Sequence, residues 1–379
     1  MNSALPRPVA APADACTARV RRVQSAVAAA GLAALIVSPG PDLRYLTGFD
    51  TRLIDRLLCL VLPATGDPSL VVPVVEEAAV AAAPLATAGA AICSWADGDD
   101  PYARVAALLP EDGEIAVSDA MLTVQSYWLR EAAPRLRQRP ASAVLAPFRT
   151  RKDADEVAAL RAAGAAIDAV HARVPEWLRV GRTEAEVGAD IRMGMLAAGH
   201  EAPELVIVAS GPNAASPHHG VSARTIQDGD AVVVDIGGAM PSGYWSDCTR
   251  TYVMGSPSQE LVELYAVLEA AQAAGCAAVK AGVPAAAVDA AARDVIVAAG
   301  YGPYFTHRTG HGIGLLAHEE PSIRAANEER LDEGMAFSVE PGIYIPGACG
   351  ARLEDIVVCT ADGHEPLNRG SHDLVVLGS

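Results

Sequence analysis

The chain has 379 residues, which is enough for two domains of ordinary size with ample core. Its 46 acidic residues outnumber 29 basic ones, and the formal net charge of −17 argues against nucleic acid, whose phosphates would be repelled. Half the residues are apolar, yet no run approaches membrane-spanning length. Residues 1–15, with Arg7, Asp14 and several prolines, lack the continuous apolar stretch of a signal peptide. The seven cysteines are scattered without CxxC spacing, so reduced thiols in a cytoplasmic protein are expected.

The first part of the chain alternates strand-like and helix-like segments. Residues 33–38 (AALIVS), 57–62 (LLCLVL) and 70–75 (LVVPVV) read as strands, with TGD at 65–67 turning between the last two. Shorter strands are expected at 114–118 and 142–145. Helices are expected at 17–30, with Thr17 as a cap, and at 122–132. An α/β domain over residues 1–150 follows. Asp153 with Glu156, and Thr183 with Glu186, each form a capping-box pattern ahead of a helix. A strand is expected at 204–209 and helices at about 258–280 and 284–300. The second domain, 151–379, therefore reads as α+β with a mostly antiparallel sheet.

Two acidic pairs stand out in this second domain. Asp235 lies in AVVVDI and Asp247 follows a turn-forming stretch; Glu340 lies in AFSVEPGIYI and Glu354 follows a second one. Hairpins centred on Pro241 and Gly347 would set the carboxylates of each pair directly opposite, about 5 Å apart on one face. Like charges on a Val- and Ile-rich face must be protonated, paired with bases, or bound to cations. His311, between glycines in TGHGIG, is the obvious neutral ligand. Four carboxylates and one imidazole suit two divalent ions sharing an activated water, and a bridging hydroxide would leave the site near −1. Such an oxygen-rich set favours manganese, with cobalt or zinc as alternatives.

These residues resemble the pita-bread metallopeptidases, which include Xaa-Pro dipeptidases (prolidases), aminopeptidase P, methionine aminopeptidases and the metal-free creatinases. The resemblance rests on VVVDIGG, SDCTRT, GHGIG, VEPG and RLED around the four acids and one histidine. It extends to SGPNAASPHHG, HEEP and YLTGF, and so covers essentially the whole chain. It implies a creatinase-type N-terminal α/β domain ahead of a pita-bread catalytic domain. By the same resemblance, Asp235 and Asp247 hold one metal and His311 and Glu340 the other, with Asp247 and Glu354 bridging. Glu340 would also shuttle the proton of the attacking water, while His218 and His318 flank the site as donors to the oxyanion or the scissile peptide. Arg352, two residues before Glu354 on one strand face, either receives the substrate carboxylate or neutralises a metal ligand. His307 and Tyr244 are further candidates for the substrate pocket. One departure is an extra residue between the first two aspartates, which bears on the conformation of the 239–243 loop.

The resemblance implies a metal-dependent peptidase that cleaves the Xaa-Pro bond of dipeptides or short peptides, working as a cytoplasmic homodimer without nucleic-acid or membrane partners. Three alternatives remain at this point. They are an aminopeptidase P acting on longer peptides, a same-fold hydrolase or lyase of a small metabolite, and a non-catalytic binding protein.

Overall fold

The computed structural model describes residues 12–52 and 55–378, so residues 1–11, which hold most of the stretch read as lacking a signal peptide, lie outside the described residues. Two compact units meet in the sequence at Arg149 and Thr150.

The first unit is built on a six-stranded sheet in the order β4-β3-β2-β1-β5-β6. Its strands are β1 (Ala34–Val37), β2 (Cys59–Pro63), β3 (Ser69–Pro73), β4 (Ala91–Trp95), β5 (Gly113–Val117) and β6 (Leu136–Pro140). The β1–β2 and β2–β3 pairs are antiparallel and the others parallel. The central strands are apolar on both faces, as a sheet covered on both sides requires. Sequence reading found these and missed β4 and β6, the two edges, where LRQRP in β6 carries no apolar period.

Two expectations fail here. The 142–145 segment opens the helix Ser142–Thr150 rather than forming a strand, because a short apolar run has no period of its own to separate the two. Thr17 does not cap the first helix, which already begins at Ala13. Its hydroxyl donates to the Ala13 carbonyl at 2.9 Å from inside the helix.

In the second unit the helices Ala154–His171 and Glu184–Ala197 both start with the expected capping boxes. They cover a four-stranded sheet, order β17-β9-β8-β7. Its strands are β7 (Ala202–Ser210), β8 (Ala231–Ala239), β9 (Trp245–Met254) and β17 (Val375–Leu377). A five-stranded sheet, order β11-β10-β12-β15-β16, comprises β10 (Gly310–Gly312), β11 (Glu319–Ile323), β12 (Ala336–Val339), β15 (Asp355–Cys359) and β16 (His364–Pro366). The two-stranded ribbon of β13 (Gly342–Ile345) and β14 (Cys349–Arg352) completes the unit's sheets.

Along β8, Val232, Val234 and Ile236 point into the core with Ile167, Val187 and Ile191. The period of two then turns Val233 and Asp235 to the opposite face. The helix Gln259–Ala278 is long and apolar enough by composition to cross a membrane, contrary to the sequence reading that no such run exists. Its Leu264, Tyr265 and Leu268 instead pack with Ile296, Phe305 and Ile343, so the protein's own core accounts for the apolar face.

Candidate metal centre

The β8–β9 ladder pairs Asp235 with Thr249 and Gly237 with Asp247. The two aspartates therefore share a face but stand diagonally, not directly opposite, because pairing is symmetric about Ser242 rather than Pro241. Gly243, at φ +87°, helps close the turn in a conformation that suits glycine. Gly237 is required where it stands. A Cβ there would come 2.7 Å from the Ser246 carbonyl and 3.0 Å from Asp247 Oδ1.

The second pair follows its expected register. The ribbon pairs Gly342 with Arg352, and β12–β15 pairs Val339 with Asp355, both symmetric about Gly347. Glu340 and Glu354 lie at the break between these two ladders. Their amides bond elsewhere, Glu340 to the Thr309 carbonyl at 2.8 Å and Glu354 to the Thr249 carbonyl at 3.2 Å. That break brings residues 352–354 onto the acid-bearing face of β9. Thr249 Oγ1 donates to Glu354 Oε2 at 2.7 Å, and Thr251 Oγ1 donates to the Arg352 carbonyl at 2.9 Å.

His311 enters on β10. Cβ atoms at Gly310 and Gly312 would collide with the Ser338 and Glu320 carbonyls, so this strand approaches its neighbours only as GHG. His311 Nδ1 lies 3.1 Å from the Gly312 carbonyl, which assigns the proton to Nδ1 and leaves Nε2 bare. Burial depresses the imidazole to about 3, so it is neutral, the form that ligates metal. Bare Nε2 sits 3.3 Å from Glu340 Oε1 and 3.8 Å from Asp247 Oδ2, an acceptor facing acceptors. Ligand atoms of Asp247, His311 and Glu354 all fall within 4.8 Å of one another.

The acids are strained electrostatically. Burial, then the charges of Asp235 and Glu340, push Asp247 well above the usual carboxylate range. Burial and the Asp247 charge do the same to Glu354. Burial raises Glu340 to about 7 against the pull of Arg352. Asp235 Oδ1, Asp247 Oδ1 and Glu354 Oε1 are buried and receive no hydrogen bond. Orphaned anionic oxygens around a bare imidazole nitrogen are what divalent cations satisfy, and the donor set fits them. Asp235 and Glu340 fall outside that group of three, and Arg352 Nη2 holds Asp235 Oδ2 at 2.6 Å.

Arg352 is committed on every side. Besides Asp235 it donates to Thr249 Oγ1 at 3.1 Å, the Tyr344 hydroxyl at 2.8 Å and the Pro217 carbonyl at 3.2 Å. Of its two sequence-level roles, this geometry serves neutralisation of Asp235, and its positive charge offsets the −1 left by the sequence tally. His307 joins the same chain, with Nε2 2.9 Å from Tyr344 Oη and Nδ1 2.7 Å from the Arg308 carbonyl.

The His318 ring lies against that of His311, with centroids 3.9 Å apart and the planes tilted by 53°. His218 is exposed on the segment after the turn Gly211–Ala215, near enough that its charge disfavours protonation of His307 and His318. Tyr244 is placed differently from the sequence expectation. Its hydroxyl donates to Glu156 Oε1 at 2.6 Å, and its ring packs with Leu160 and Ile313.

A cavity of about 390 Å³ is lined by Arg293, Phe305, His307, Arg308 and Arg324, among others. Arg293 is paired with Asp289. Arg308 and Arg324 have no carboxylate partner among the described residues, and Arg308 is close enough to lower the proton affinities of His311 and Glu340. Sequence reading missed both arginines, along with Thr249 and Tyr344. Only Thr249 carried a signal, its alternation with Asp247.

Comparison with known proteins identifies the family. Residues 158–361 match the model of metallopeptidase family M24, and residues 19–150 match the creatinase/prolidase N-terminal domain. The chain is 50% identical over 366 residues to a probable dipeptidase PepE of Mycobacterium tuberculosis, covering 96% of this chain and 97% of that one. It is 36% identical to an Xaa-Pro dipeptidase of Lactobacillus delbrueckii subsp. lactis, covering 92% and 95%. The crystal structure of a prolidase from Thermococcus sibiricus superposes with a TM-score of 0.89 at 34% identity, covering 95% and 99%. The chain belongs to metallopeptidase family M24, with a creatinase/prolidase N-terminal domain followed by a pita-bread catalytic domain, and is a peptidase of the dipeptidase type.

Proposed function

We propose that this peptidase hydrolyses the Xaa-Pro bond of dipeptides, with two divalent ions, manganese foremost, held by Asp235, Asp247, His311, Glu340 and Glu354. When bound, such ions supply a water activated at neutral pH and polarise the scissile carbonyl. The chain's own groups do the rest. Glu340 takes the proton of the attacking water and delivers it to the leaving proline nitrogen. Its Oε1 is steadied by the Ser338 hydroxyl, which donates at 3.1 Å. His218 and His318 donate to the developing oxyanion. Arg352 orients Asp235 through its 2.6 Å bond to Oδ2.

The observation that carries the dipeptide reading is the cavity beside His307. Its volume of about 390 Å³ is at the small end for a ligand site, and it presents two guanidinium groups without carboxylate partners. A dipeptide's free carboxylate is carried by the residue being released, so Arg308 and Arg324 suit it better than the fully engaged Arg352. Preference for proline is supported by similarity to the Xaa-Pro dipeptidase and the prolidase. The seven cysteines are all free, which suits the reducing cytoplasm, and a homodimer is expected for this family.

Metal-reloaded protein is expected to cleave Ala-Pro and to spare both Ala-Pro-Ala and Ala-Pro amide. Arg308→Ala is expected to raise KM for Ala-Pro by roughly tenfold or more, the worth of one charge-assisted bond. Equal cleavage of Ala-Pro-Ala would move the assignment to aminopeptidase P. Cleavage of neither by protein with demonstrably bound metal would remove proline from the reading.

A further inference from the structure

Glu184 is the first residue of its helix and fully buried, and nearby Arg224 is already paired with Asp230. It gathers donors from one segment of chain. Oε1 accepts from the Ser210 amide and hydroxyl, each at 2.7 Å, and from Asn213 Nδ2 at 3.0 Å. Oε2 accepts from the Ser222 hydroxyl at 2.5 Å and from His219 Nε2 at 3.0 Å. Burial would raise its proton affinity, but these bonds outweigh burial and hold the carboxyl below its usual range. A buried anion satisfied by five donor groups is rigid, and it makes the segment that supplies them rigid too.

That segment, 210–222, carries His218. Both neighbours of His218 are tied down. The Pro217 carbonyl accepts from Arg352, which also holds the metal ligand Asp235, and the His219 ring is tied to Glu184. His218 is thus suspended between two anchors, one leading to the metal centre and the other to Glu184. The sequence SGPNAASPHHG supplies the donors Ser210, Asn213 and His219 at the spacing this requires.

We propose that Glu184 is a positioning residue that fixes His218 over the metal centre by anchoring the 210–222 segment through Ser210, Asn213, His219 and Ser222. The inference rests on the peptidase reading of the site and not on proline specificity. It is tested by a double-mutant cycle of Glu184→Gln and His218→Ala, measured as kcat/KM on whichever dipeptide the protein cleaves, with metal content checked in each variant. Glu184→Gln is expected to lower kcat/KM about tenfold when His218 is present and less than about twofold when it is absent. Equal losses in both backgrounds, or no loss with His218 present, overturn the proposal.

Should Glu184→Gln fail to fold, the partly exposed His219 serves instead. His219→Ala is expected to lose activity and His219→Gln, which keeps an N–H donor, to regain most of it; equal activity of the two overturns the proposal. The His218 ring signals in carbon-labelled NMR spectra do not depend on turnover. They are expected to shift and broaden in Glu184→Gln or His219→Ala, and unchanged signals contradict the proposal even if no dipeptide is cleaved.

Discussion

Glu340→Gln is expected to lower kcat for dipeptide hydrolysis by about 10²–10⁴-fold, the usual worth of a positioned acid–base group. The substitution keeps shape and keeps an oxygen to accept from the Ser338 hydroxyl. The backbone bond from the residue 340 amide to the Thr309 carbonyl is untouched. It also removes one of four crowded carboxylates, whose mutual repulsion contributes to raising Asp247 and Glu354. Thermal stability of the metal-free protein should therefore hold or rise while turnover collapses. Steady-state kinetics at saturating metal, alongside a melting curve and metal analysis, check this. A variant that turns over at the wild-type rate would remove Glu340 from the mechanism.

Arg352→Met is expected to act in the opposite sense, on stability first. Arg352 is 3% exposed and is the cation paired with buried Asp235. Removing one partner of a buried ion pair costs about 3–5 kcal/mol, because the other charge is left uncompensated. At roughly 2–4 °C per kcal/mol for a unit of this size, the catalytic unit should melt about 6–20 °C lower without metal. Divalent metal should then restore more stability to the variant than to the wild type, since Asp235 no longer shares its charge with a guanidinium. Calorimetry with and without manganese checks both parts. An unchanged melting temperature would mean that Asp235 has another source of compensation.

The same-face placement of the four acids was legible because a strand's period of two and the turn chemistry between strands fix which face a side chain takes, and His311 was marked by its flanking glycines. The register about Gly347 followed from its turn-forming sequence. The register of Asp235 with Asp247 missed by two positions because Pro241 and Gly243 compete for the centre of their turn, yet same-face placement survived. What the sequence could not reveal was contact between distant segments. Arg352 reaches Asp235 across 117 positions, and Glu184 meets His219 across 35; neither pairing leaves any periodicity. The edge strands β4 and β6 and the helix at 142 were lost for a related reason. Their character is set by what they pack against, not by an apolar pattern of their own.

The central claim is that these side chains hold two ions on which peptide hydrolysis depends. The direct test is to strip the protein exhaustively with a chelator and titrate it with manganese, following bound metal and Ala-Pro hydrolysis together. Activity should be absent at zero metal and should reach its maximum at two ions per chain. Full turnover by verified metal-free protein, or maximal activity with a single ion bound, would contradict the account.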